Sequence, residues 1–139
     1  MSGRGSSLRS EQLSSLGRLK VVTRFLRYGQ SLAPEVLKVL LFILDRTVGW
    51  NKAMVAISRR DFMNGTRSRR RNELSCLPIG LSMDVVNEAI ALLVEVGAIR
   101  ANTIRASTYY SLNYDWEVPG LMPMWEVDED DYCYPEGDL

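Results

Sequence analysis

The stretch GLSMDVVNEAIALLVEVGAIRANTIRASTYYSLNY, residues Gly80 to Tyr114, decides the reading of this chain. Ser82 can accept from the free amides of a helix start, so it reads as an N-cap. Met83, Val86, Ile90, Leu93 and Val94 then fall on one helical stripe, with Val85, Ala89 and Leu92 beside it. Gly97 supplies a helix stop. Ile99–Ile104 and Thr108–Leu112 are rich in β-branched and aromatic residues and read as two strands. The short turn around Arg105-Ala106-Ser107 joins them into a hairpin.

Upstream, Ser10 can cap a first helix, in which Leu13, Leu16, Leu19, Val22, Phe25 and Leu26 recur at helical spacing. Gly29 is its expected stop, and Arg18, Lys20, Arg24 and Arg27 are expected on its solvent side. A second helix is expected from Pro34 to about Thr47. It is apolar nearly all round, as a central core helix is. Gly49-Trp50-Asn51-Lys52 reads as a turn, and Ala53–Ile57 as a short strand able to pair with the hairpin. Ser58 caps a short helix, Arg59–Met63, stopped by Asn64-Gly65. Residues 66–79 are polar and Arg-rich and read as an inserted loop, because helix-turn-helix turns are only a few residues long. The expected fold is α+β: mainly α with a small β-hairpin, in the order of a winged helix-turn-helix.

The domain expectations follow from composition. Residues 1–9 are Gly-, Ser- and Arg-rich and are expected to be disordered; residues 10–115 form the domain; residues 116–139 form an acidic, disordered tail. The zero net charge of the 139 residues hides an asymmetry. Seventeen bases against nine acids give residues 1–115 a net +8, whereas 116–139 carry eight acids and no base, a net −8. A basic body suits a polyanion, and an acidic tail suits a partner or self-masking. In the tail Trp125, Asp128, Glu129, Asp130, Asp131 and Tyr132 interleave acids with aromatics, a pattern expected to dock on a partner.

Several classes are read out. The chain has no His, no GxxxxGK[ST] loop and no GxGxxG motif, so no catalytic constellation is expected. Cys76 and Cys133 lack a CxxC partner, and the acids at 128–131 lack the Gly an EF-hand loop needs, so neither a metal nor another cofactor is expected. No apolar run approaches the roughly 20 residues of a membrane span, and no secretory leader is read at the N-terminus. The expected location is the cytoplasm.

The segment Leu40–Tyr114 resembles the winged-helix domain of phage O-type replication proteins and related phage and plasmid initiators. The matching words are Arg46-Thr47-Val48-Gly49-Trp50-Asn51-Lys52, then Ile57-Ser58, Asp61-Phe62 and Asn64-Gly65. Gly80-Leu81-Ser82, Leu93-Val94-Glu95 and Gly97-Ala98-Ile99 follow. The first word is the most specific; the rest is shared by winged helices in general. Trp50 reads as a core or turn-packing residue. The resemblance covers about 75 residues and implies duplex DNA binding at an origin or operator, with partners recruited elsewhere. The family usually carries Arg or Lys after the Gly-Leu-Ser word, where this chain has Met83-Asp84, and a long C-terminal region follows its winged helix, where residues 116–139 read here as a short acidic tail.

The functional expectation is therefore a non-catalytic DNA-binding protein of a phage or mobile element, a replication or transcription regulator. Arg59, Arg60, Arg67, Arg69, Arg70 and Arg71 are expected on phosphates, because a guanidinium offers a planar donor fork. Arg100 and Arg105 would reach DNA from the hairpin. Ser82, Asp84 and Asn87 are the base-facing candidates, and Asn87 suits adenine. The presumed recognition helix has no base and carries Asp84, Glu88 and Glu95, which favours an alternative. In that reading the same fold docks on protein, inhibiting or recruiting a nucleic-acid enzyme as a host-defence antagonist or replication accessory. Expected partners are duplex DNA, a replication or host protein at the tail, and a second copy of the chain.

Overall fold

A computed structural model describes residues 13–68, 70–71 and 73–121. The expectations for residues 1–12, for Arg69 and for the tail from 122 onward lie outside the described residues. Within them the chain is α+β, with the helices gathered around one core and a small antiparallel sheet at its edge.

Helix α1 spans Ser15–Gly29 and is capped by Ser14, whose Oγ accepts from the Gly17 amide at 3.0 Å. The face turned inward carries Val21, Arg24, Phe25 and Tyr28. Leu16, Leu19 and Leu26, expected on one stripe with Phe25, are exposed instead. Nor is the basic side all solvated. Arg24 is buried and donates to the Trp116 carbonyl at 2.9 Å. Arg18 donates to the carbonyls of Val48 and Gly49, both at 3.2 Å.

Helix α2, Pro34–Leu44, is the central element: Val36, Val39, Leu40, Phe42, Ile43 and Leu44 are buried. Each such side chain contributes about 1.5–3 kcal/mol of burial. The helix does not simply fray near Thr47. It widens into a π-helical turn, Asp45–Gly49. The buried Thr47 hydroxyl donates back to the Ile43 carbonyl at 2.8 Å, and the Lys52 amide donates to the Thr47 carbonyl at 2.7 Å. Trp50 is not in the core. It is partly exposed and covers the buried Arg46 guanidinium, 4.5 Å from the ring centroid.

Strand β1 (Val55–Ala56) leads to α3 (Arg59–Asn64), which opens on a capping box: the Ser58 hydroxyl accepts from the Asp61 amide and the Asp61 carboxylate accepts from the Ser58 amide. The insertion that follows is not a loop. Strands β2 (Thr66–Arg67) and β3 (Leu74–Cys76) pair antiparallel with a bulge. Gly65 makes this possible. Its φ is 76°, and a Cβ there would stand 2.3 Å from the Cys76 carbonyl oxygen. Cys76 pins the hairpin to the body, since its buried Sγ donates to the Asp45 carboxylate at 3.1 Å. Burial and that hydrogen bond raise the thiol above its ordinary pKa.

Helix α4, Met83–Glu95, has the expected Ser82 cap. Its C-terminus closes by paired bonds, Gly97 N–H to the Val94 carbonyl and Ala98 N–H to the Leu93 carbonyl, with Gly97 at φ 86°. Val86, Ala89, Ile90 and Leu93 face the core; Met83 and Val94, expected on that stripe, are exposed. Strands β4 (Ile99–Ile104) and β5 (Ser107–Leu112) form a hairpin in register from Ile99↔Leu112 to Ile104↔Ser107. Ser107 belongs to β5, so the turn is Arg105-Ala106 alone. Strand β1 adds to β5 through Val55↔Tyr110 and Ala56↔Tyr109, giving the sheet order β1-β5-β4.

The packed body does not stop at residue 115. Trp116 is 3% exposed, with its ring 5.3 Å from Phe25 and edge-on to Tyr28 at 5.7 Å, and Val118 is half-buried against the core.

Candidate nucleic-acid interface

The capping box fixes the start of α3 and with it the direction of Arg59, the first helical residue. Its Nε donates to Asn87 Oδ1 on α4, and its Nη1 donates to the Tyr110 hydroxyl on β5 at 2.6 Å. One guanidinium thus ties together α3, α4 and the sheet. Tyr110 is fully buried, edge-on to Phe62 at 5.8 Å, and Phe62 in turn packs on Phe42 at 5.0 Å. The network therefore rests on the aromatic core. Burial pushes the Tyr110 hydroxyl above its ordinary pKa; the Arg59 charge and hydrogen bond offset part of that shift.

Arg59 stands in the wall of a groove of about 600 Å³. Ser58, Asp61 and Asn87 line one side, and Ala106, Ser107 and Thr108 line the other. A guanidinium has five N–H donors, and the two bonds to Asn87 and Tyr110 leave three. Asn87 is exposed, and its amide has a defined polarity: Arg59 can only donate, so Oδ1 is the accepting end and Nδ2 presents donors. Oδ1 has a second lone pair, so Asn87 keeps the donor and the acceptor that a bidentate contact with adenine needs, while the N–H groups of Arg59 and Asn87 together offer a cluster of donors suited to phosphate oxygens. The Asp61 carboxylate in the same wall is engaged with the Ser58 amide.

The other expected residues that the structure describes do not line this groove. Arg60 is exposed on α3. Arg67, Arg70 and Arg71 are exposed on the β2–β3 hairpin, where the Ser68 hydroxyl accepts from the Arg70 and Arg71 amides and Arg71 lies 3.9 Å from Glu73. Arg105 is exposed at the β4–β5 turn with φ 59°, next to groove-lining Ala106. Arg100 is not at the groove. It borders a hollow beside Val94 and Gly97, at the far end of α4. Ser82 spends its hydroxyl on the Val85 amide. Asp84 is exposed, and with Glu88, Ala91 and Glu95 it occupies the outermost face of α4, opposite the buried stripe. Arg69 and the tail residues Trp125, Asp128, Glu129, Asp130, Asp131 and Tyr132 lie outside the described residues.

Sequence reasoning missed Tyr110. Its one signal was alternation: Thr108, Tyr110 and Leu112 share a strand face, which places Tyr110 inward. Among the described residues no group of three or more Cys, Asp or Glu comes together to hold a metal ion. No described helix is long and apolar enough to cross a membrane. Comparison with family models, curated proteins and solved structures finds no match to this chain.

Proposed function

We propose that this chain is a non-catalytic winged-helix protein that binds duplex DNA through its backbone, as a replication or transcription regulator of a phage or mobile element. The observation that carries the reading is Arg59, held by Asn87 and Tyr110 at the rim of a groove between two helices and a hairpin turn. A preordered guanidinium loses little freedom on binding phosphate. The order of elements from α2 onward supports the fold assignment: helix, strand, two helices with a hairpin inserted between them, and a final hairpin, with the first strand paired to the last. The hairpin inserted between α3 and α4 and the β4–β5 turn add further exposed arginines. The phage or mobile-element assignment rests on the sequence resemblance.

In this reading Asn87 serves phosphate rather than adenine, and α4 contributes little affinity. A second reading is favoured by α4 itself. Its outermost face presents Asp84, Glu88 and Glu95, which would repel a groove walled by phosphates and suits a basic protein partner. Duplex binding measured against salt separates the two. The intact chain is expected to show a log–log slope of about −0.9 per phosphate neutralised, flattened when Arg67, Arg69, Arg70 and Arg71 are changed to Ala. A slope unchanged by that variant would remove the inserted hairpin from the interface.

A further inference from the structure

The outer face of α1 is apolar and unclaimed by the core. Leu16 and Leu19 are each 61% exposed and Leu26 is 50% exposed. Thr23 lies between them with its hydroxyl turned back onto the Leu19 carbonyl at 2.7 Å, so its methyl is left to face outward. The spacing 16, 19, 23, 26 is the three-four repeat of a helix seam. Beside it a hollow of about 440 Å³ opens between α1 and α2, floored by Val22, Leu44 and Val48 and edged by Leu19 and the exposed Leu41. Exposed apolar patches of this kind mark interaction surfaces. The helix itself carries one sign of charge: residues 13–34 have four bases and no acid, Lys20 and Arg27 follow the seam along one flank, and the acid Asp45 stands at the far wall of the hollow.

We propose that the acidic segment 122–139 of this same chain docks on the Leu16–Leu19–Leu26 face of α1. Three observations select it over other occupants. Its composition is complementary, with seven acids and no base, and Met122, Met124, Trp125 and Val127 at its start. It leaves the body close to α1, because Trp116, six residues before it, packs on Phe25 and Tyr28 of the inward face of α1 and its carbonyl is held by Arg24. Its reach is ample: 18 residues span up to ~59 Å when extended, whereas α1 is only ~22 Å long. A second copy fits less well, since it would set four bases against four with no acid on either helix. The contact is independent of whether the groove at Arg59 binds DNA.

The test is paramagnetic relaxation in the intact chain. A Cys76→Ser background leaves Cys133 as the one thiol for a nitroxide; the native chain, in which Cys76 is buried, serves if the variant does not fold. The expected result is line broadening concentrated on the amides of Leu16–Leu26, abolished by Leu19→Glu. Broadening centred on residues 66–76 would place the segment on the arginine hairpin and overturn the proposal. Broadening spread evenly over the chain would overturn it too. So would broadening of α1 only between tagged and untagged molecules in a mixed sample, which would give the face to a second copy.

Discussion

Replacing Trp116 by alanine is expected to destabilise the protein by about 3–5 kcal/mol, although the residue stands where the sequence reads as the beginning of a tail. The ring is 3% exposed and touches Phe25 and Tyr28 of α1. An aromatic side chain buries roughly 150–250 Å², which at about 25 cal/mol per Å² is roughly 4–6 kcal/mol of transfer. Aromatic-to-alanine changes in cores cost about 3–5 kcal/mol, because neighbours relax partly into the space. The carbonyl that accepts from Arg24 survives the substitution in principle, but the loop that carries it loses its anchor. A domain of this size holds only about 5–15 kcal/mol in total, so the variant should sit near its unfolding threshold at room temperature. Urea unfolding followed by far-ultraviolet circular dichroism reads the midpoint, with the m-value as a check that the unfolded state is unchanged. Trp116→Phe should cost less than half as much. A loss below about 1 kcal/mol for Trp116→Ala would refute the packing of this segment on α1 and with it the departure point of the acidic segment.

Two glycines with similar positive φ, 76° at Gly65 and 86° at Gly97, should respond differently to alanine. Gly65→Ala meets the Cys76 carbonyl at 2.3 Å and should cost more than 3 kcal/mol or displace the β2–β3 hairpin, whereas Gly97→Ala has open space and should cost only about 1–2 kcal/mol of left-handed strain; equal midpoints in urea would contradict this. Stability should fall in alkali. Burial raises the pKa values of Cys76, Tyr110 and Tyr114 in the folded state. Their contribution is therefore complete below the unfolded values, about 8.5 for the thiol and 10 for the phenols, and is lost as pH rises through the folded ones. Tyr110→Phe should flatten the tyrosine part of that decline in urea midpoints taken between pH 8 and 11, and an unchanged pH profile would argue against burial of the hydroxyl.

The elements that could be read ahead of the structure were those whose signal is local. Helix α4 carries its own cap, its own periodicity and its own glycine stop, and the β4–β5 strands carry β-branched and aromatic residues on both sides of a short turn. The features that could not be read depend on distant partners. Strands β2 and β3 are two and three residues long, too short to carry a period, and they exist because Gly65 turns the chain under Cys76 and Cys76 bonds to Asp45. Leu16, Leu19 and Leu26 share the apolar spacing of Phe25, and only tertiary packing decides which face turns inward. Arg24 has the composition of a surface residue, yet a carbonyl 92 positions away holds it in the core. The candidate site has the same character. Arg59 was visible as one of many arginines, but its distinction comes from Asn87, 28 positions on, and Tyr110, 51 positions on.

The most direct test of the proposed interface is therefore Arg59→Ala, with duplex affinity followed by fluorescence anisotropy as salt is varied. A charge-assisted hydrogen bond from a guanidinium to phosphate is worth about 1.5–3 kcal/mol, so affinity should fall at least about 10-fold. The fall should be similar for unrelated duplex sequences, and the salt slope should drop by about 1. A folded Arg59→Ala chain that binds duplex as the intact chain does, or an intact chain that fails to bind any duplex at low salt, would contradict the account.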